Sequence, residues 1–231
     1  MFKKIKNIIK SFFFKKKNTE IVSNIFIDKA FIITKLPKNP VIIDCGAHVG
    51  LDTVQFAKLP GSKIHAFEPI NEVYDNLLKN TASFKNITTY KIALSDFDGD
   101  AEMYVSSGDS NGSSSLLKPK EHIKDHPEVF FNKMQKVNCQ KLDTWAQENN
   151  VNKVDMLWLD MQGAEQKMLS VSDTILNTVK IIHSEVSLKE TYENVENYES
   201  FKKLLLQKGF EVLIEAIPEG YDMGNVLFIR K

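Results

Sequence analysis

The sequence predicts an α/β fold: a central, mostly parallel, seven-stranded sheet with helices on both faces and a C-terminal antiparallel hairpin. Three observations carry this. From Val41 onward, short apolar runs alternate with amphipathic stretches, the pattern of parallel strands joined by crossover helices. The run Val41-Ile42-Ile43 shows no polar alternation, as expected of a strand buried on both faces. Near the end, Glu211 to Ile217 and Asn225 to Arg230 flank a turn containing Gly220, which reads as a hairpin added to the sheet edge.

Taken in order, the chain divides into an N-terminal segment, residues 1–40, and one domain, residues 41–231. Residues 1–17 place Phe2, Ile5, Ile8, Ile9, Phe12 and Phe13 on one helical face and lysines on the other. Its longest apolar run is Phe12-Phe13-Phe14, too short for a signal-peptide core or a membrane span. Two readings stay open: a helix lying on an anionic membrane surface, or a basic helix packed on the acidic body at a homodimer contact. Residues 18–40 read as a further helix and a connector closed by Pro37 and Pro40.

Strands are expected near 41–45, 63–67, 87–93, 154–159 and 179–186. Helices are expected near 50–58, 70–81, 143–149, 163–170 and 196–208. The alternation breaks after Ser95. Ala101 to Val105 reads as an extra strand, and residues 106–133 as a loop insertion rich in Ser and Gly at its start. Loops of that length in compact domains are functional or disordered; beside a ligand cleft, a substrate lid is the preferred reading.

Composition narrows the function. The 231 residues carry 30 basic and 30 acidic groups, with 42% hydrophobic and 26% charged residues, which are globular values. Residues 1–17 hold seven lysines and no acid, so the body is acidic and a poor partner for nucleic acid. Cys45 and Cys139 form neither a disulfide framework nor a metal motif. A reducing cytoplasm is the default location, with the inner face of a membrane as the peripheral variant.

The chemistry concentrates in Asp44-x-Gly46-Ala47-x-x-Gly50. Glycine serves where a strand reverses into a helix through positive φ and a ligand lies on the backbone. The helix that follows points its unpaired N–H groups at that ligand. Glu68 closes the next apolar run, 18 residues past Gly50, about where a neighbouring-strand carboxylate reaches ribose hydroxyls. The spacing is neither G-x-G-x-x-G nor a P-loop. An acid before the first glycine suits a cationic, phosphate-free ligand, and S-adenosylmethionine fits.

Here the chain also resembles a family. Ile43-Asp44-x-Gly46-Ala47-x-x-Gly50, Ala66-Phe67-Glu68-Pro69, Ala93-Leu94-Ser95-Asp96 and Leu159-Asp160-x-Gln162-Gly163-Ala164-Glu165 resemble the FkbM-type methyltransferases, in the same order, from about Val41 to Ile229. The resemblance implies a Rossmann-like class I methyltransferase fold and S-adenosylmethionine as cofactor. It puts Asp44, Gly46, Ala47 and Gly50 along the methionine and ribose part, Glu68 on the ribose hydroxyls, and Ser95 and Asp96 near the adenine. It also implies a hydroxyl on a sugar, glycan or small molecule as a frequent acceptor. At His48 the family more often shows Asn, and at Gln162 often an acid.

Methyl transfer asks for positioning, exclusion of water and, for a hydroxyl, a base within hydrogen-bond reach. Asp160 and Glu185 end buried strand runs and aim at the cleft, so they are the catalytic candidates, with His183 next. Asn111, Ser114, Gln162 and Glu165 are candidate substrate contacts. Two carboxylates could instead share a divalent ion, but no dense ligand spacing supports a metal. The competing functions are an NAD-dependent oxidoreductase, disfavoured by the glycine spacing, and a non-catalytic scaffold on the same fold, disfavoured by the intact Asp44, Gly46, Gly50 and Glu68.

Overall fold

The computed structural model describes residues 22–23 and 25–231. The readings of residues 1–17 as a membrane-binding or packing helix lie outside the described residues. Two-residue strands β1 (Val22–Ser23) and β2 (Phe26–Ile27) pair antiparallel, and a short helix, Lys29–Ile33, follows, capped by the Asp28 side chain on the Ala30 N–H. A helix was expected there; the small hairpin before it was not, since two-residue strands leave no periodic signal.

Seven strands form the main sheet: β3 (Val41–Cys45), β4 (Lys63–Phe67), β5 (Ile87–Tyr90), β9 (Met156–Leu159), β10 (Ile181–Ser187), β11 (Phe210–Ala216) and β12 (Met223–Arg230). Their order is β11-β12-β10-β9-β3-β4-β5. The pairs from β10 through β9, β3 and β4 to β5 are all parallel, while β12 runs antiparallel to both β10 and β11. The chain therefore leaves β3 towards β4 on one side and later returns to β9 on the other. In open α/β sheets that switch opens a crevice at the carboxyl ends of the strands.

The parallel strands are apolar on both faces, and alternate residues serve two separate cores. On one face, Ile43, Leu157, Leu159 and Ile182 pack with Trp145, Met168, Leu169, Phe201 and Leu205 from helices Leu142–Glu148, Glu165–Ser170 and Tyr198–Gln207. On the other, Ile42, Ile64, Met156, Trp158 and Ile181 pack with Ile32 and with Phe56 of helix Leu51–Ala57. Each such large side chain contributes about 1.5–3 kcal/mol by leaving water. Helix Tyr198–Gln207 shows how the sequence sets an element. Asn197 caps it by accepting from the Ser200 N–H at 2.9 Å, and Tyr198, Phe201 and Leu205 repeat at helical spacing on the buried side.

The insertion differs from the loop expected over 106–133. The strand anticipated at 87–93 stops at Tyr90; β6 (Ala93–Leu94) leaves the main sheet and joins β7 (Gly99–Gly108) and β8 (Val129–Gln140) in a second sheet of order β6-β8-β7. β7 and β8 form a long antiparallel pair from Gly99↔Cys139 to Gly108↔Val129 with one bulge. Polar residues hide β8 in the sequence, because only Val129, Val137 and Cys139 of its 12 residues are buried. The connection from 109 to 128 holds a four-residue helix, His122–Asp125.

That connection is docked against residues 188–195. The Lys120 and His122 N–H groups donate to the Thr191 carbonyl, the Glu193 N–H donates to Lys118, and Lys118 pairs with Glu193 at 2.7 Å. The two segments together roof the carboxyl edge of the sheet.

Candidate active site

The site is assembled where β3, β4, β9 and β10 end. Gly46 has φ of +82°, and a Cβ there would lie 1.9 Å from the Asp160 carbonyl oxygen. Only glycine lets the turn after β3 come this close to the turn after β9, so the contact brings Asp160 beside the loop. The Gly46 and Ala47 N–H groups donate to the Phe67 carbonyl, at 3.1 and 2.8 Å, which ties the loop to β4. Gly50 has a structural duty: with φ of +85° it caps the next helix, and a Cβ would strike Leu77 at 2.7 Å.

Two chambers meet here. The first is lined by Cys45, Gly46, His48, Phe67, Glu68, Pro69 and Ile70, by Ile92 to Leu94, and by Met103, Asn111, Gly112, Ser114, Leu116, Asp160, Met161, Gln162 and Ala164. Its wall combines the apolar side chains of Ile70, Ile92, Leu94, Met103 and Leu116, which form a slot, with the carboxyls of Glu68 and Asp160. Buried Glu68 accepts from the His48 N–H at 3.1 Å and the Ile70 N–H at 2.8 Å. Burial pushes its carboxyl up to about 7 although those bonds pull it down.

Asp44, Ala47, Gly50, Ser95 and Asp96 stand behind this wall and do not line it. Asp44 is fully buried and accepts from the Thr53 hydroxyl of the following helix; burial raises it to about 7. Ser95 donates to Asp96 at 3.1 Å next to the slot formed by its neighbours Ala93 and Leu94. These residues shape the loop and the slot from behind.

The second, wider chamber is lined by Ser110, Gly112, Ser113, His122, Asp125, His126, Asp160, Gln162, Glu165, Gln166, Ser184, Glu185, Ser187, Lys189, Tyr192, Glu196, Tyr198 and Asp222, among others. Gly112, Asp160 and Gln162 belong to both walls. Among the described residues one lysine, Lys189, lines it, and it is paired with Asp222 at 2.5 Å. Asp160 opens to the solvent of the cleft, yet the protein packed round it desolvates its carboxyl and holds it above the usual carboxylate range. Glu185 is pushed to about 8 by burial first and then by the nearby Asp160 and Glu165 charges. Glu165 is raised to about 7 by burial while it accepts from the Met161 N–H at 2.7 Å.

Gln162 sits between these acids. Its Nε2 donates to Asp160 at 2.6 Å and lies 3.4 Å from Glu185. Tyr192, which sequence reasoning passed over, places its hydroxyl 2.9 Å from Gln162 Oε1 and 2.8 Å from the Ser113 carbonyl, one proton between two acceptors. Nothing local in the sequence marks Tyr192, because it acts from a strap of irregular structure. His48, which the sequence leaves equally open as a helix cap, a carboxylate contact or an incidental loop residue, has φ of +50°, and its Nε2 lies 2.8 Å from Asn111 Oδ1, joining loop to insertion. Ser114 is spent on the hairpin, accepting from the Ser106 N–H at 3.0 Å. His183, the reserve base, faces away: its ring stacks on Trp158 with centroids 3.7 Å apart, and burial lowers it to about 3.

The first chamber fits S-adenosylmethionine. An apolar slot suits a flat base, the buried Glu68 carboxyl at the wall suits ribose hydroxyls, and Asp160 gives negative charge without a phosphate site. Among the described residues, no three His, Cys, Asp or Glu side chains converge to hold a metal ion.

Comparison with known proteins agrees with this geometry. The model of the methyltransferase FkbM domain matches residues 44–212. The 2-O-methyltransferase NoeI of Sinorhizobium fredii (strain NBRC 101917 / NGR234) is 30% identical over 203 residues, covering 85% of this chain and 82% of the relative. The methyltransferase sdnD of Sordaria araneosa is 27% identical over 238 residues, 91% of this chain and 89% of the relative. Among solved structures, the magnesium protoporphyrin IX methyltransferase of Synechocystis PCC 6803 shares the fold, with a TM-score of 0.50 at 11% identity over 87% of this chain and 76% of that one.

Proposed function

The chain belongs to the FkbM methyltransferase family, and we propose that it methylates a hydroxyl of a sugar, glycan or other small polar acceptor. It is an S-adenosylmethionine-dependent methyltransferase, which removes the oxidoreductase alternative. The observation that carries the acceptor reading is the sharing of Asp160 between two chambers. One chamber suits the cofactor; the other, rich in hydrogen-bonding groups, opens at the same carboxylate. The name of the relative NoeI as a 2-O-methyltransferase supports oxygen as the methylated atom.

When bound, S-adenosylmethionine supplies an electrophilic methyl carbon on sulfur. Glu68 would hold its ribose hydroxyls, and the slot of Ile70, Ile92 and Leu94 would hold its base. Asp160 would take the proton from the acceptor hydroxyl, because an alcohol far from its pKa needs a base in reach; the methyl carbon leaves sulfur as it joins that oxygen. Burial and the nearby Asp160 and Glu165 charges push Glu185 towards its protonated form, in which it would donate a hydrogen bond to a second acceptor oxygen. The docked insertion and the strap at 188–195 exclude water and hold the acceptor in line.

The test is mass spectrometry of sugars, glycans and small alcohols incubated with the protein and methyl-labelled cofactor. A mass gain on an oxygen supports the reading. Transfer to nitrogen or carbon overturns it, and tight cofactor binding without any transfer favours the non-catalytic scaffold.

A further inference from the structure

We propose that Gln162, expected from the sequence to touch substrate, is instead the positioning residue that holds Asp160 and Glu185 in register and ties them to the roof. Its amide is already committed. Nε2 has two protons, and the acceptors in line with them are Asp160 at 2.6 Å and Glu185 at 3.4 Å. Oε1 receives the Tyr192 hydroxyl, which fixes the amide so that nitrogen, not oxygen, faces the two carboxyls. With the donor turned away, both acids would face an oxygen lone pair.

The backbone of Gln162 is held as firmly as its side chain. It sits at φ of +54°, in the left-handed region that side-chain-bearing residues rarely adopt. Its carbonyl accepts from the Ser115 hydroxyl at 2.7 Å. The next residue, Gly163, has φ of +99°, and a Cβ there would meet Val195 at 2.9 Å and Leu117 at 3.2 Å. Strand tip, insertion and strap therefore converge on one residue. Strain held in place by so many contacts is the arrangement found where a group must be pre-oriented.

The consequence is electrostatic. Asp160 faces Asp44 from β3, Asp52 from helix Leu51–Ala57, Glu68 after β4, Glu165 from helix Glu165–Ser170 and Glu185 from β10, with His48 on the glycine loop as the nearby titratable nitrogen. Among so many acids, the Gln162 amide is the donor that stabilises the ionised form of Asp160. Without it the base would hold its proton and lose the lone pair it needs for the acceptor. The inference rests on Asp160 acting as the base proposed above.

The experiment reads the carboxyls directly and needs no acceptor. Full-length protein carrying carbon-13 carboxyl labels on Asp and Glu is titrated by NMR with S-adenosylhomocysteine bound; Asp160→Asn and Glu185→Gln assign the two resonances. In Gln162→Leu the Asp160 midpoint should move upward by about one to two pH units, the equivalent of one hydrogen bond to a charged group. Tyr192→Phe, which frees the amide to turn, should move it the same way by less. A merely structural Gln162 would lower the thermal midpoint and leave the titration where it was, and that result overturns the proposal. Should Gln162→Leu fail to fold, Tyr192→Phe decides alone, and an unmoved midpoint there overturns it equally. The outcome is separate from the acceptor's identity: transfer to nitrogen would sink the hydroxyl reading without altering either titration.

Discussion

The two chambers treat a buried carboxyl in opposite ways. Glu68 in the cofactor chamber has an N–H donor on each oxygen, from His48 and Ile70. Glu185 in the acceptor chamber has one donor, the Gln162 amide at 3.4 Å, and two acidic neighbours that push it further up. The first arrangement presents fixed acceptor lone pairs to hydroxyls that will donate to them. The second, with fewer donors and more acidic neighbours, leans further towards the protonated form that can donate. One fold thus builds an acceptor and a donor from the same residue type by changing only what surrounds it.

The sharpest way to break the comparison is at the carboxylate both chambers share. Asp160→Asn keeps the shape but removes the charge. It should cut kcat by about 10²–10⁴-fold, the span of acid–base assistance, with cofactor affinity little changed. The check is single-turnover transfer alongside calorimetry of S-adenosylhomocysteine. If Asp160 only fixes the Gln162-Gly163 turn, turnover per folded molecule stays normal while the thermal midpoint falls.

A smaller effect isolates the cofactor side. Glu68→Ala removes the acceptor proposed for the ribose and takes away the partner of the His48 and Ile70 N–H groups. Affinity for S-adenosylhomocysteine should fall by about 1–3 kcal/mol, the range for losing hydrogen bonds to a charged partner. Calorimetry measures it directly, and the ligand's elevation of the thermal midpoint should shrink with it. An unchanged affinity would move the ribose site elsewhere on the wall.

The difference between the chambers also explains what could be read from the sequence. The cofactor chamber is built largely from strand ends and the turns that follow them, Cys45 to His48, Phe67 to Ile70, Ile92 to Leu94 and Asp160 to Ala164. Each is a short contiguous motif after an apolar run, so the positions of Gly46, Glu68 and Asp160 at the carboxyl edge of the sheet were legible. Even there, Asp44 and Gly50 do not line the chamber but bond or pack against the following helices, because a motif records a need for a residue type and not which way it faces. The acceptor chamber draws on the 109–128 connection, on 184–198 and on Asp222 and Met223. Its members share no period or spacing, and β8 conceals itself behind polar residues. Tyr192 and the duty of Gln162 appear only when separate stretches dock.

The least of these effects separates the chambers by pH. Asp44, Glu68 and Glu165 are raised to about 7 and Glu185 to about 8, burial being the first cause in each. Raised carboxyls bind protons in the folded state at a pH where the unfolded chain has lost them. Stability must then fall as pH rises from the unfolded values, 3.8 for Asp44 and 4.5 for the glutamates, towards 7 to 8. The ligand-free protein should accordingly melt higher at pH 6 than at pH 8. Glu185→Gln removes the group raised furthest without removing the Gln162 amide beside it. It should lift the midpoint at pH 8 by at least about 2 °C, a shift of the size about 1 kcal/mol produces in a chain this long, and flatten the pH dependence. Glu68→Gln should gain less, since its two N–H donors already stabilise the ionised form. Differential scanning calorimetry of the two variants at pH 6 and pH 8 decides it: equal gains would mean the chambers desolvate their acids alike, and a loss at Glu185 would mean that its charge is paired in the folded state.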